Sequence, residues 1–160
     1  MTRLAVRKIV LAGAPVLKTK AQPVTKMTKS IKTLLKDMKD TLYDANGVGL
    51  AAPQVGESLR IFVIDDGNGY VEYINPEIIT LSDEKEDMTE GCLSVPGFVG
   101  VVERSTGVTV RYEDRNGRTH EVSATGLLAQ AIQHENDHID GTLYIERAKN
   151  LYKENEGTIE

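Results

Sequence analysis

The sequence predicts an α+β fold in which antiparallel sheets pack around a buried helix carrying a His-Glu-x-x-His run, with an amphipathic helix nearer the N-terminus. Three observations carry this expectation. Apolar residues recur at helical spacing over residues 30–44, and residues 126–133 are apolar on most sides. Strand-like runs are punctuated by Asp66-Gly67-Asn68-Gly69 and by Asn116-Gly117, which are hairpin signals. The 160 residues are read as one domain, 1–160, long enough to bury roughly two-thirds of the unfolded surface. With 40% hydrophobic and 27% charged residues, a disordered chain is excluded.

Taken in order, residues 1–10 carry neither a signal-peptide cleavage pattern nor a long apolar run, so a cytoplasmic protein is expected. Ile31, Leu34, Leu35, Met38 and Leu42 trace one face of a helix over residues 30–44, which Asn46-Gly47 closes. That stripe reads as core packing. Gly47-Val48-Gly49 is not a phosphate loop, because no Gly-Lys-Ser/Thr follows, but its glycines let backbone approach a ligand closely. Residues 59–64 and 70–74 read as paired strands, and a further strand or turn pair covers 77–81 and 98–104. The acidic stretch 82–87 reads as a solvated loop, and residues 90–97 as a loop broken up by glycine and proline. Residues 107–112 and 118–122 flank the Asn116-Gly117 turn. The helix from Gly126 has Ser123 or Thr125 as its N-cap and Gly141 where a terminating glycine belongs. The polar tail, 147–160, has only Leu151 and Tyr152 to anchor a short helix, and its end is expected to fray.

The second helix carries the chemistry. At 3.6 residues per turn His134 and His138 are rotated by only about 40°, so both imidazoles leave one face and can grip one cation. Glu135 can then reach a water on the open side and take its proton. Such pairs are more often solvated or at a core edge, yet on a largely buried helix unpaired histidines are costly, which favours a ligand role. A tetrahedral catalytic site takes a third protein ligand and keeps its fourth position for water. Of the 3 histidines the spare one, His120, lies in a strand-like run where an exposed, structural role fits better. Cys92, the single cysteine, is the better candidate. A lone cysteine is commonly a small buried hydrophobe, but the loop setting and the partner-seeking histidines favour a thiolate ligand. One cysteine forms no internal disulfide, and a thiolate ligand needs reducing conditions. The donor set by itself suits zinc.

Three blocks carry a family resemblance. Gly47-Val48-Gly49-Leu50-Ala51-Ala52-Pro53-Gln54, Glu90-Gly91-Cys92-Leu93-Ser94 and Gln133-His134-Glu135-Asn136-Asp137-His138 resemble, in order and interval, the signature motifs of the peptide deformylases. One HExxH identifies weakly; three blocks together are specific. The resemblance implies a metal-dependent hydrolase that removes the formyl group from the N-terminal methionine of a newly made peptide and releases formate. It implies that Cys92, His134 and His138 hold the metal and that Glu135 is the general acid and base. Gln54 and the backbone N–H of Leu93 would steady the oxyanion formed when a water acidified by the metal attacks the formyl carbon. Neutral, fixed donors suit that task because they bring no competing charge, and Glu135 can return a proton to the departing amine. Val48 and Gly49 would pair with the substrate backbone as a strand does, and Leu93, Leu127 and Ala131 would wall an apolar methionine pocket.

By the same resemblance the ion in cells is Fe²⁺, with Ni²⁺ or Co²⁺ as active substitutes and Zn²⁺ as a less active one. The expected partners are N-formyl-methionyl peptides, with any ribosome contact transient and local. A net charge of −5 offers no footprint for nucleic acid, no membrane partner is expected, and the protein is read as a monomer. There are departures from the family pattern. Val99 stands where many members carry an arginine, and Glu146 replaces a common aspartate. Arg104 is expected to pair with Glu90 and so hold the cysteine block. Two rival readings remain open. A zinc endopeptidase also uses HExxH but takes its third ligand after the motif, where Glu146 is the conceivable one. A metal-holding relative that binds formylated peptides without turnover is disfavoured by the intact Glu135, Gln54 and Cys92.

Overall fold

The computed structural model describes residues 5–154. Among the described residues eight strands form two antiparallel sheets: β1 (Gly49–Ala51), β2 (Ile61–Asp65), β3 (Tyr70–Leu81), β4 (Lys85–Cys92), β5 (Val95–Ser105), β6 (Gly107–Glu113), β7 (Thr119–Thr125) and β8 (Asn150–Lys153). The larger sheet has the order β1-β2-β3-β6-β7 and the smaller one β4-β5-β8. The helices are α1 (Lys29–Asp44) and α2 (Gly126–Ile139). Thr28 caps α1, its hydroxyl accepting the Ile31 N–H at 3.2 Å, and Asn46 turns the chain out with φ 54°. Thr125 holds the N-cap position of α2, without a side-chain hydrogen bond there.

Strand β2 explains how the layers stack. Successive side chains point to opposite faces of a strand, so Ile61 and Val63 join Leu34, Leu35, Met38 and Leu42 of α1, while Phe62 and Ile64 join Ala129 and Ile132 of α2. These first four of the five β2 residues are all buried, which is why they read as an unbroken apolar run. The arrangement leaves α2 held against the larger sheet and also in contact with β5 of the smaller one, whose Val102 packs with Tyr144. Among the described residues no helix is long and apolar enough to cross a membrane.

Four expectations need correcting. The acidic stretch is not all loop, because residues 85–87 open β4, pairing Glu86 with Arg104 and Asp87 with Glu103. As the outer strand of its sheet, β4 can carry exposed charges without burying them. Residues 90–97 form a hairpin and not a loop: Cys92 ends β4, Leu93-Ser94 is the turn, and Pro96 and Gly97 lie inside β5. The ladder is irregular there, with a register shift between Gly91 and Cys92 that accommodates the strand breakers. Residues 77–81 are not a separate strand; they continue β3 through register shifts beside Asn75-Pro76, where Asn75 has φ 50°. The tail forms β8 on the open edge of β5, with Phe98 opposite Lys153 and Val101 opposite Asn150, where a short helix was expected. An unpaired edge offers backbone partners that side-chain periodicity does not announce. The expected fraying of residues 155–160 lies outside the described residues, as do residues 1–4 of the N-terminal stretch.

Candidate metal centre and active site

The turn between β4 and β5 meets the buried side of α2. Cys92 Sγ lies 3.3 Å from His138 Nε2, and one donor atom from each of Cys92, His134 and His138 lies within 4.8 Å of the others. A tetrahedral ion with sulfur at about 2.3 Å and imidazole nitrogen at about 2.1 Å would set sulfur and nitrogen roughly 3.6 Å apart. Cys92 Sγ and His138 Nε2 already stand near that spacing. His134 Nδ1 lies 2.8 Å from Glu90 Oε1, a contact that fixes the tautomer and directs Nε2 at the cluster. His138 Nδ1 is buried without a partner among the described residues. One thiol and two imidazoles, preset at ligand distance, fit a divalent cation.

The ligands rest on a buried charge network. Arg104, only 4% exposed, grips Glu90 with two bonds of 2.7 and 2.8 Å and donates a third, of 2.7 Å, to Asp137. Arg147 closes the network on Asp137, donating at 2.7 Å to the same Oδ2 that Arg104 holds and at 3.1 Å to Oδ1. Burial works against the charge on Glu90, but hydrogen bonds from Arg104 and His134 hold its carboxyl down at about 2. Burial likewise opposes a proton on His134, yet bonds with Cys92 and Glu90 outweigh it and raise its pKa. Burial and the neighbouring positive charges push His138 the other way. The Tyr144 ring stacks on His134 at 5.8 Å, and its hydroxyl donates to the Phe98 carbonyl. Arg104→Met is expected to cost about 3–5 kcal/mol, because it strands the buried Glu90 carboxylate. Urea unfolding checks this, and a double-mutant cycle with Glu90→Gln should show strong coupling.

A cleft of about 580 Å³ opens beside the cluster. It brings together Val48, Gly49, Gln54, Cys92, Leu93, Leu127, Ala131, His134 and Glu135. His138 lies behind it, 1% exposed. Glu135 Oε1 is buried with no partner among the described residues, and burial pushes its carboxyl up to about 7. The close neighbour that leaves it room is Gly49, where an added Cβ would come within 2.6 Å of Glu135 Oε2. Gln54 is oriented at both ends. Its Oε1 accepts the Ala51 N–H at 2.9 Å, and its Nε2 donates to Ser94 Oγ at 3.1 Å and lies 3.6 Å from Cys92 Sγ.

Sequence reasoning missed several of these parts. Glu90 was read only as a partner of Arg104, and its bond to His134 had one available signal, its place two residues before Cys92. Asp137, Ser94 and Tyr144 had no local signal that separated them from scaffold, and neither had Gln130, Pro96, Gly97 and Phe98, which also line the cleft. His120 stands outside the cluster on β7, where its ring stacks on Tyr112 and its Nε2 lies 2.7 Å from Asp114. Glu146 is also outside it, its carboxylate accepting the Leu143 N–H. Val99 sits in the smaller sheet between Gly91 and Tyr152.

The family model for polypeptide deformylase matches residues 6–154. A peptide deformylase from Carboxydothermus hydrogenoformans is 51% identical over 150 residues, covering 94% of this chain and 98% of the relative. The crystal structure of peptide deformylase from Thermotoga maritima superposes with a TM-score of 0.88 at 44% identity, covering 91% of this chain and 99% of that one. A peptide deformylase from Acinetobacter baumannii, crystallised with Met-Ala-Ser bound, superposes with a TM-score of 0.86 at 35% identity, over 91% of this chain and 99% of its own.

Proposed function

Because the chain belongs to the polypeptide deformylase family, whose members remove the N-formyl group from nascent peptides, we propose that Cys92, His134 and His138 hold its metal and that Glu135 handles its protons. The observation that carries this reading is the convergence of three donors from β4 and α2 beside a buried, unpartnered carboxylate. A divalent ion at these ligands supplies the Lewis acidity that brings the pKa of a water near neutrality. Glu135, with its carboxyl raised to about 7, suits a group that accepts a proton near neutral pH and gives it to the leaving amine. Gln54, whose Nε2 donates to Ser94 Oγ and faces Cys92 Sγ at 3.6 Å, would turn that second hydrogen to the oxygen that becomes negative, with the Leu93 N–H as the other donor.

Substrate binding follows from the sheet. β1 is an outer strand of the larger sheet, and Val48 and Gly49 line the cleft at its start. An extended peptide can add there as a further strand. Leu93, Leu127 and Ala131 supply apolar surface for the methionine side chain. The methionyl peptide bound by the Acinetobacter relative supports a site of this shape. The third donor comes before the HExxH run in the chain and Glu146 is turned to its own backbone, which favours this reading over an endopeptidase.

The physiological ion in this reading is Fe²⁺, in a cytoplasmic monomer that meets nascent N-formyl-methionyl peptides, with transient ribosome contact. Aerobic purification is then expected to lose formate release from formyl-Met-Ala-Ser, and Ni²⁺ or Co²⁺ to restore it. Equal, air-stable activity with Zn²⁺ would contradict the iron assignment. Cleavage of an unformylated internal peptide without formate release would contradict the reaction.

A further inference from the structure

We propose that Glu154, delivered to the cleft by β8, selects for a basic side chain in the residues that follow the N-terminal methionine of the substrate; this rests on the reading of the cleft given above. Among the described residues three carboxylates line the cleft, and no lysine or arginine does. Glu90 is neutralised by Arg104 and His134, and Glu135 faces the reacting groups. Glu154 is the charge that remains unused. It is half-buried, and its backbone N–H donates to the Gly97 carbonyl at 2.9 Å, which ties it to the β5 wall.

Its place along the cleft is set by the other walls. The reacting end is marked by Cys92, His134 and Glu135, and the methionine surface by Leu127 and Ala131 of α2. The remaining wall, Pro96, Gly97 and Phe98 with Glu154, is left for the residues that follow. Among the described residues no basic side chain lines that wall; Lys153, which precedes Glu154 and lies opposite Phe98, is exposed and outside the lining. Val99 is apolar at the position after Phe98, and Lys149, at the other end of β8, is taken up by Asp87 and Glu103. Among the described residues Glu154 forms no ion pair of its own.

A rim pair of this kind is partly hydrated, so the effect is one of modest, salt-sensitive binding. The test compares formyl-Met-Lys-Ala and formyl-Met-Ala-Lys with formyl-Met-Glu-Ala and formyl-Met-Ala-Glu by formate release, using metal-loaded wild type, Glu154→Gln and Glu154→Lys. Ratios of kcat/KM are taken within each protein, so a general loss of activity cancels. In the wild type the lysine peptide of at least one pair should be favoured about 5-fold, mainly through KM, with the preference fading at 1 M salt. Glu154→Gln should level that ratio and Glu154→Lys should invert it. A wild-type ratio of one for both pairs, or an unchanged preference in Glu154→Gln, would overturn the proposal while leaving the active-site reading intact. Failure of that reading is distinguishable, because the wild type would then release no formate from any peptide, including formyl-Met-Ala-Ala.

Discussion

Glu135→Ala protein is expected to purify with a full complement of metal and to release formate about 10²–10⁴-fold more slowly than the wild type, the range associated with loss of a positioned acid–base group. The separation of the two properties is the point. Glu135 lies on the face of α2 that lines the cleft, while the donor cluster is completed without it by Cys92, His134 and His138. Its carboxyl is buried and carries no partner on Oε1 among the described residues, so no hydrogen-bond network is broken when that atom is removed. Glu135→Gln fills the same space and tests whether the loss is chemical or steric. It should be about as slow, because an amide accepts no proton near neutral pH. Metal analysis by mass spectrometry alongside the formate assay reads both properties.

Cys92→Ala should behave in the opposite way. Removing the thiolate leaves two imidazoles, and the protein is expected to lose its ion on desalting and its turnover with it, or to change which ion it retains. A ligand that binds only the folded state raises stability in proportion to its occupancy, so added metal should raise the Tm of the wild type and leave Cys92→Ala nearly unmoved. The fold itself should survive the substitution, because Cys92 is only partly buried, at the end of an outer strand. A metal-free Glu135→Ala protein beside a fully loaded Cys92→Ala protein would reverse the two assignments.

How much of this was legible before the coordinates depended on the range of the signal. The helices were readable because 3.6-residue periodicity is local: Leu34, Leu35, Met38 and Leu42 bury one face of α1. The hairpin of β6 and β7 was readable from Asn116-Gly117, since a short turn fixes which strands pair. The donor trio was readable because the two histidines are four residues apart and the cysteine is unique. Edge pairing was not readable. Nothing in the alternation of Asn150 to Lys153 says that β5 has a free edge, and Lys85, Glu86 and Asp87 look like loop residues because an outer strand tolerates solvated charge. The hydrogen bond from His134 to Glu90 spans 44 positions and depends on how β4 docks on α2. Such contacts emerge only from packing. They are also what fixes the orientation of His134, so the residues hardest to read include those on which the site's precision depends.

The central claim is that one thiolate and two imidazoles share a single ion. X-ray absorption on the cobalt-loaded protein tests it most directly. The account predicts one sulfur scatterer near 2.3 Å and two imidazole nitrogens near about 2.1 Å, with the sulfur shell absent in Cys92→Ala. A first shell made only of nitrogen and oxygen in the wild type would contradict it.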